Sequence, residues 1–264
     1  MRRPWVCLLY HDVMADDPGR SGATAYFGVS GHSFAAQLDH ITGLGWRGCS
    51  IEEALRDDGA RVAISFDDGH AGQFERAFPA LARRGMTATI FVTTGWVGTP
   101  GYVSWSALRE MKAAGMSIQS HTRTHPFLSE LDPAALREEL YGSRAELDQQ
   151  LGQRTHALAL PGGDPPRAPL RGALAEAGYT VIATSRWGVN PDTRAAGPLW
   201  VRRCTVRGRV SGADFRRIVE GDQLIAWRRR LREGVLRGLR TSMGPTRYAR
   251  WRRRVLGLIA SEGK

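Results

Sequence analysis

Two pairs of residues in this chain carry more chemistry than their surroundings require. Asp67 and Asp68 stand side by side in Ser65-Phe-Asp-Asp-Gly69, and two histidines stand four apart in His121-Thr-Arg-Thr-His125. Neighbouring carboxylates repel one another unless a cation or a proton compensates them. Two imidazoles and one carboxylate make a ligand set for a divalent metal, with positions left open for water and substrate. One aspartate would complete that set. The other would stay free near the metal, placed to take a proton from bound water. A turn gives no reason for two adjacent aspartates, whereas this chemistry uses both.

The elements that must bring these residues together alternate along the first 207 residues. Apolar runs at 5–10, 61–66, 88–92, 117–120, 157–160 and 181–183 read as strands. Amphipathic stretches at 33–43, 73–84, 104–114, 133–151 and 167–177 read as helices. Asp132 followed by Pro133 gives a cap and first-turn pair, and Gly85, Gly115, Gly152 and Gly178 fall where helices should stop. This rhythm predicts an α/β fold built on a parallel sheet or barrel. In such folds chemistry gathers at the C-terminal ends of strands. Four of the six predicted strands end on candidate residues: His11-Asp12, Asp67-Asp68-Gly69-His70, His121 to His125, and Pro161-Gly-Gly-Asp164.

Composition bounds the rest. The chain has 264 residues, 42% apolar and 24% charged, as in a soluble globular protein. No apolar run approaches the ~20 residues of a membrane span. The N-terminal apolar stretch is too short for a signal peptide. Cys7, Cys49 and Cys204 form no CxxC pair and read as buried thiols of a cytoplasmic protein. The net charge of +11 is uneven: residues 208–264 hold 15 Lys/Arg against 5 Asp/Glu, and the first 207 hold 22 against 21. From 215 to 259, Leu, Ile, Val and Trp recur every three or four residues between arginines, which predicts two basic amphipathic helices. Terminal helices packed on the domain, or docking on an anionic membrane surface, both fit this tail; nucleic-acid binding is the weaker reading because no reader motif accompanies the charge. The expected division is a domain at 1–207 and a basic helical tail at 208–264.

The motifs resemble those of the polysaccharide deacetylases of carbohydrate esterase family 4, the NodB-homology domain. Ser65-Phe-Asp-Asp-Gly69 is similar to that family's first motif, and His121-Thr-Arg-Thr-His125 to its second. Leu160-Pro-Gly-Gly163 resembles the third in degenerate form, and Thr184-Ser-Arg-Trp187 the fourth. Leu9-Tyr-His-Asp-Val13 and the segment from Phe27 to Leu38 look like the branch associated with exopolysaccharide synthesis. The resemblance implies a distorted (β/α) barrel, a divalent metal, usually zinc, and hydrolysis of an N-acetyl group from an amino sugar. Carried across, it makes Asp67 the general base and Asp68, His121 and His125 the metal ligands. The backbone N–H of Gly162 would help hold the oxyanion, and Pro161 and Trp187 would lie against the substrate.

The resemblance fails in two places. The family's third-motif arginine, which pairs with the base, falls at Ala159; Arg186 or Arg202 would have to replace it from another loop. The fifth motif's histidine, the general acid, has no counterpart in residues 199–206. His11 is the candidate to replace it, with Asp12 to orient it and to meet substrate; His70 is a second candidate. Trp96 and Trp105, near strand ends, could also stack on a sugar ring.

The leading expectation is therefore a metal-dependent carbohydrate N-deacetylase, cytoplasmic and peripheral at the inner membrane face. Its substrate would be an N-acetylated amino sugar in a glycan, a lipid-linked or nucleotide-linked saccharide, or a glycoside. The alternatives are a non-catalytic sugar- or metal-binding barrel and a basic nucleic-acid-binding protein.

Overall fold

The computed structural model describes residues 4–16, 27–163, 168–191, 198–208 and 210–222, with the isolated positions 242, 243, 247 and 251. Its centre is a curled parallel sheet with helices outside, the distorted (β/α) barrel of the NodB type. The strands are β1 Val6–Tyr10, β2 Val13–Met14, β3 Val29–Ser30, β4 Gly48–Cys49, β5 Val62–Phe66, β6 Thr89–Val92, β7 Ser117–Ser120, β8 Ala157–Ala159, β9 Val181–Ala183, β10 Leu199–Val201 and β11 Cys204–Thr205. The sheet runs β10-β9-β8-β7-β6-β5-β1-β11, with β4 alongside the lower half of β5; β2 and β3 form a separate pair. Every predicted strand is present. Of the five missed strands, β2, β3, β4 and β11 are two residues long, too short to show a period.

The order places β10 and β11 at opposite ends of the sheet, although only Arg202 and Arg203 lie between them in sequence. That dipeptide is the seam of the barrel. Asn190 ties it down, donating from its amide to the Arg202 carbonyl at 2.9 Å and accepting from the Arg202 N–H at 2.8 Å. Asn190 also bridges antiparallel to Trp5 at the start of β1.

Strand alternation sorts the two faces. Cys7, Ala63, Phe91, Ala157, Ala159, Ala183 and Val201 form one buried cluster inside the curl, mostly of small side chains. On the opposite face Val6, Leu8 and Tyr10 of β1 and Val62, Ile64 and Phe66 of β5 pack against helices. Phe34, from the helix Gly31–Gly43, meets Tyr10 edge-on at 5.1 Å and Phe66 at 5.8 Å. Cys7, Cys49 and Cys204 are buried free thiols.

Two of the predicted helices contain a wider, π-type turn: Gln73–Ala77 before Phe78–Ala82, and Glu138–Gly142 between Pro133–Arg137 and Ser143–Leu151. The helix Gly212–Val219 lies beyond residue 207, and its Phe215, Ile218 and Val219 are buried in the helical layer of the core. This part of the predicted membrane-docking stretch faces the barrel. The remainder of the two tail helices falls almost wholly outside the described residues. None of the described helices is long and apolar enough to cross a membrane.

Gly72 marks how closely the first loop is packed under the site. A Cβ there would stand 2.2 Å from the Val13 carbonyl oxygen and 2.3 Å from Asp12 Oδ1. Gly72→Ala is expected to cost roughly 1–3 kcal/mol, because backbone must shift to make room. Thermal unfolding reads this as a fall of about 2–4 °C per kcal/mol, and an unchanged Tm would contradict the packing described.

Candidate active site

The four strand ends that carry candidate residues meet at one end of the barrel. β1 and β5 run in register, Tyr10 beside Phe66, so His11 and Asp67 follow on neighbouring strands. Asp67 donates its N–H to the Tyr10 carbonyl at 3.0 Å. The buried side chain of Gln73 joins both ends, its amide donating to the carbonyls of His11 at 2.7 Å and Asp67 at 2.6 Å. Glu139 does the same for the second loop, its carboxylate accepting the N–H groups of Arg123 and Thr124 at 2.8 and 2.9 Å. Each π-type turn thus supplies the side chain that clamps one chemistry-bearing loop. Such turns recur at functional sites because they re-aim a residue without ending the helix.

Among the described residues, positive φ outside glycine occurs at Asp68 (76°), Thr122 (67°) and His125 (63°), all in these two loops. A left-handed backbone at a non-glycine residue persists only where its surroundings impose it. Here it turns the carboxylate and the imidazole towards each other. Asp68 Oδ1 lies 3.4 Å from His121 Nε2 and 3.5 Å from His125 Nε2. The three ligand atoms lie within 4.8 Å of one another. Asp68 Oδ1 is buried and has no hydrogen-bond partner. His121 Nδ1 lies 2.9 Å from the Ala159 carbonyl, which can only accept, so Nδ1 carries the proton and Nε2 is left to face the carboxylate. Burial and the neighbouring His121 push the His125 imidazole down to about 4, keeping it in the neutral form that binds metal. An orphaned buried carboxylate oxygen between two imidazole nitrogens fits a divalent cation.

Asp67 faces the barrel interior, two steps after Ser65, and meets a residue that neither motif nor spacing had pointed to. Arg203 is completely buried and grips Asp67 with both arms of its guanidinium, Nη1 to Oδ1 at 2.5 Å and Nη2 to Oδ2 at 2.8 Å. Its Nε donates to the Thr184 carbonyl at 3.0 Å, and the guanidinium lies 5.2 Å from the centre of the Phe91 ring. The arginine expected at Arg186 or Arg202 is therefore Arg203, from the seam. Alternation held the signal: along an extended segment, one of two successive arginines must face inward. Burial pushes the Asp67 carboxyl up, but the charges of Arg203 and His121 and the Arg203 hydrogen bonds outweigh it and hold it below its ordinary value.

The other predicted residues are placed as follows. The His11 ring packs on Phe27 at 4.9 Å, its Nδ1 is buried without a partner, and burial pulls its pKa below the usual histidine value. Asp12 does not orient His11; its Oδ1 lies over Gly72, buried and without a hydrogen-bond partner. Gly162 is exposed at the end of β8 in a left-handed conformation, with Phe127 packed where a Cβ would stand. Pro161 is buried and shapes that loop from beneath. Trp187 is 5% exposed and packs in the core, so it offers no face for a sugar, contrary to expectation. Trp96 stands at the site instead, stacked on His125 at 5.4 Å. His70 lies beside Asp68, its Nε2 3.3 Å from Oδ2.

The family model of polysaccharide deacetylases matches residues 55–182, which contain both loops of the Asp68–His121–His125 cluster. Over these residues the barrel matches a polysaccharide deacetylase domain. YxkH of Bacillus subtilis, a polysaccharide deacetylase by name, is 31% identical over 159 residues, covering 60% of this chain. The chain covers 56% of that relative's length. Among solved structures, the Streptococcus pyogenes deacetylase PplD in complex with acetate is similar at a TM-score of 0.73 and 26% identity, over 83% of this chain and 99% of its own. IcaB from Ammonifex degensii is similar at 0.66 and 26%, over 82% and 96%. The chain thus covers these two structures almost end to end.

Removing one partner of a buried ion pair strands the other, at about 3–5 kcal/mol. Arg203→Met should cost that much at pH 7, measured by denaturant unfolding. With Arg203 present, the depressed pKa of Asp67 gives stability that is complete above the unfolded value, about 3.9, and is lost as pH falls through the folded value. Without Arg203 burial is opposed only by the imidazoles of His121 and His11 and that pKa rises, so protonation relieves the stranded charge. The gap between wild type and Arg203→Met should narrow from pH 7 to pH 4. A gap that stays constant would mean Asp67 is not the group being compensated.

Proposed function

We propose that this chain is a metal-dependent carbohydrate N-deacetylase that hydrolyses the N-acetyl group of an amino sugar. The observation that carries the reading is the unpartnered Asp68 Oδ1 between the Nε2 atoms of His121 and His125, with the carboxylate of Asp67 beside it. Asp68, His121 and His125 would hold the cation, and two imidazoles with one carboxylate suit zinc. Such an ion, when bound, polarises an amide carbonyl and makes water a better nucleophile.

The chain's own residues supply the rest. Asp67 is the general base: Arg203 keeps it ionised, and each carboxylate oxygen retains a lone pair beyond the one given to the guanidinium. Its Oδ2 is 3.9 Å from His121 Nε2, which puts it next to the ligand set. Gly162, exposed on its loop, offers its N–H to the developing oxyanion. His11 stands on the strand next to Asp67 with a neutral imidazole. A proton that it gives to the leaving nitrogen is one that it has first received, ultimately from the attacking water by way of Asp67. Asp12, half-buried on the same rim, would accept from a sugar hydroxyl through its other carboxylate oxygen. Free amino sugar and acetate are the products.

The basic stretch after Asp222 supports a peripheral position at the cytoplasmic face of the membrane, with a lipid-linked or nucleotide-linked saccharide as substrate. Truncation after Asp222 should abolish sedimentation with phosphatidylglycerol vesicles and leave hydrolysis of a soluble N-acetyl substrate intact; unchanged sedimentation would remove the membrane reading.

The function itself is tested by elemental analysis of the purified protein, followed by acetate release from N-acetylglucosamine oligomers. About one divalent ion per chain is expected, lost in His121→Ala and in Asp68→Ala. Asp67→Asn should keep the metal and lower kcat by roughly 10²–10⁴-fold. Wild-type protein that takes up no zinc, or Asp67→Asn with unchanged turnover, would overturn the assignment.

A further inference from the structure

Asp68 has a partner on each side. His121 and His125 face its Oδ1, and His70 faces its Oδ2, with Nε2 at 3.3 Å. His70 is itself held in place. Its ring stacks on Tyr102 at 5.1 Å and 19°, and the two residues pair through an antiparallel backbone bridge. Tyr102 leans on Trp96 at 5.0 Å, and Trp96 stacks on His125. The loop carrying Trp96 and Tyr102 is bonded to both ligand loops: Val103 N–H to the Gly69 carbonyl at 2.9 Å, Ala71 N–H to that of Gly101 at 2.9 Å, and Gly95 N–H to that of Arg123 at 2.8 Å. A row of rings therefore runs from the partner of one Asp68 oxygen to an imidazole facing the other.

We propose that His70 is a positioning residue for the cation site, holding Oδ2 of Asp68 so that Oδ1 alone is turned towards His121 and His125. A carboxylate free at both oxygens can rotate or chelate through both, which consumes a coordination position. Catalysis at such a site needs open positions for water and the amide oxygen. A donor fixed on one oxygen removes that freedom, and partners that hold ligands in this way commonly change metal affinity by 10–100-fold. His70 is thereby spent on Asp68 and is not the proton donor to the leaving group. Tyr102 and Trp96 hold the two sides of the arrangement at a fixed spacing.

The inference rests on Asp68, His121 and His125 binding a cation. Its test uses the full-length chain, stripped of metal, with zinc affinity measured by competition against a chromophoric chelator and coordination followed by the visible absorption of cobalt(II). His70→Ala should bind zinc 10–100-fold more weakly and shift the cobalt bands, with unchanged circular dichroism. His70→Gln, which returns an N–H donor near Oδ2, should recover to within roughly threefold of wild type. If His70→Ala fails to fold, Tyr102→Ala removes the ring behind His70 and should show the same shift in smaller measure. Wild-type affinity and an unchanged cobalt spectrum in the folded His70 or Tyr102 variant would overturn the inference alone. A wild type that takes up no zinc, or a His121→Ala that binds as tightly as wild type, would overturn the metal site and this inference with it.

Discussion

The pairing of Asp67 with Arg203 sets the conditions for everything around it. A carboxylate and a guanidinium in the barrel interior are each costly alone, and the geometry that compensates them has to be good in both distance and orientation. The fork of Arg203 meets both oxygens of Asp67, and its third donor is taken by the Thr184 carbonyl. Space for so large a group exists because most inward positions of the strands around it are alanines, with one cysteine. Arg203 reaches Asp67 because the seam of the sheet sets it between the last strand and the first. One contact therefore closes the barrel and fixes the charge of the candidate base.

The two adjacent aspartates are then kept apart by backbone rather than by distance. Asp67 leaves β5 in the ordinary inward direction and finds a cation; Asp68 takes a left-handed turn and finds imidazoles. The burial that raises a carboxyl acts on both, and is outweighed by Arg203 at Asp67 and by the neighbouring imidazoles of His121, His70 and His11 at Asp68. Strain of about 1–3 kcal/mol at each of the three left-handed residues has to be offset by the scaffold. Gln73 and Glu139, rooted in the two π-type turns, are the side chains that hold the strained loops to their strands.

The sequence carried the fold class, the six longer strands and the Asp68–His121–His125 cluster, because each is a local signal: a run, a rhythm, or a motif at a strand end. What it withheld is long-range. Arg203 was one of several arginines until strand order set it opposite Asp67. His70 read as a second proton donor until the bridge to Tyr102 turned its ring to Asp68. Trp187 and Trp96 looked alike as tryptophans near strand ends; one is packed in the core and the other stacks on His125. The short strands beside the seam are made by their neighbours in the sheet and not by their own two or three residues.

The seam also has a consequence for the order in which the chain is made. Synthesis runs from the N-terminus, and domains fold as their segments become available. Asp67, Asp68, His121 and His125 all precede Arg203, which follows Asp67 by 136 residues. Until it emerges, Asp67 can keep its charge only in contact with water. The loops of the Asp68–His121–His125 cluster can form in a nascent chain, but Asp67 cannot be buried ionised until Arg203 arrives. The buried, charged pair thus belongs to the finished barrel, and a partial chain is left with an Asp67 that must stay in water.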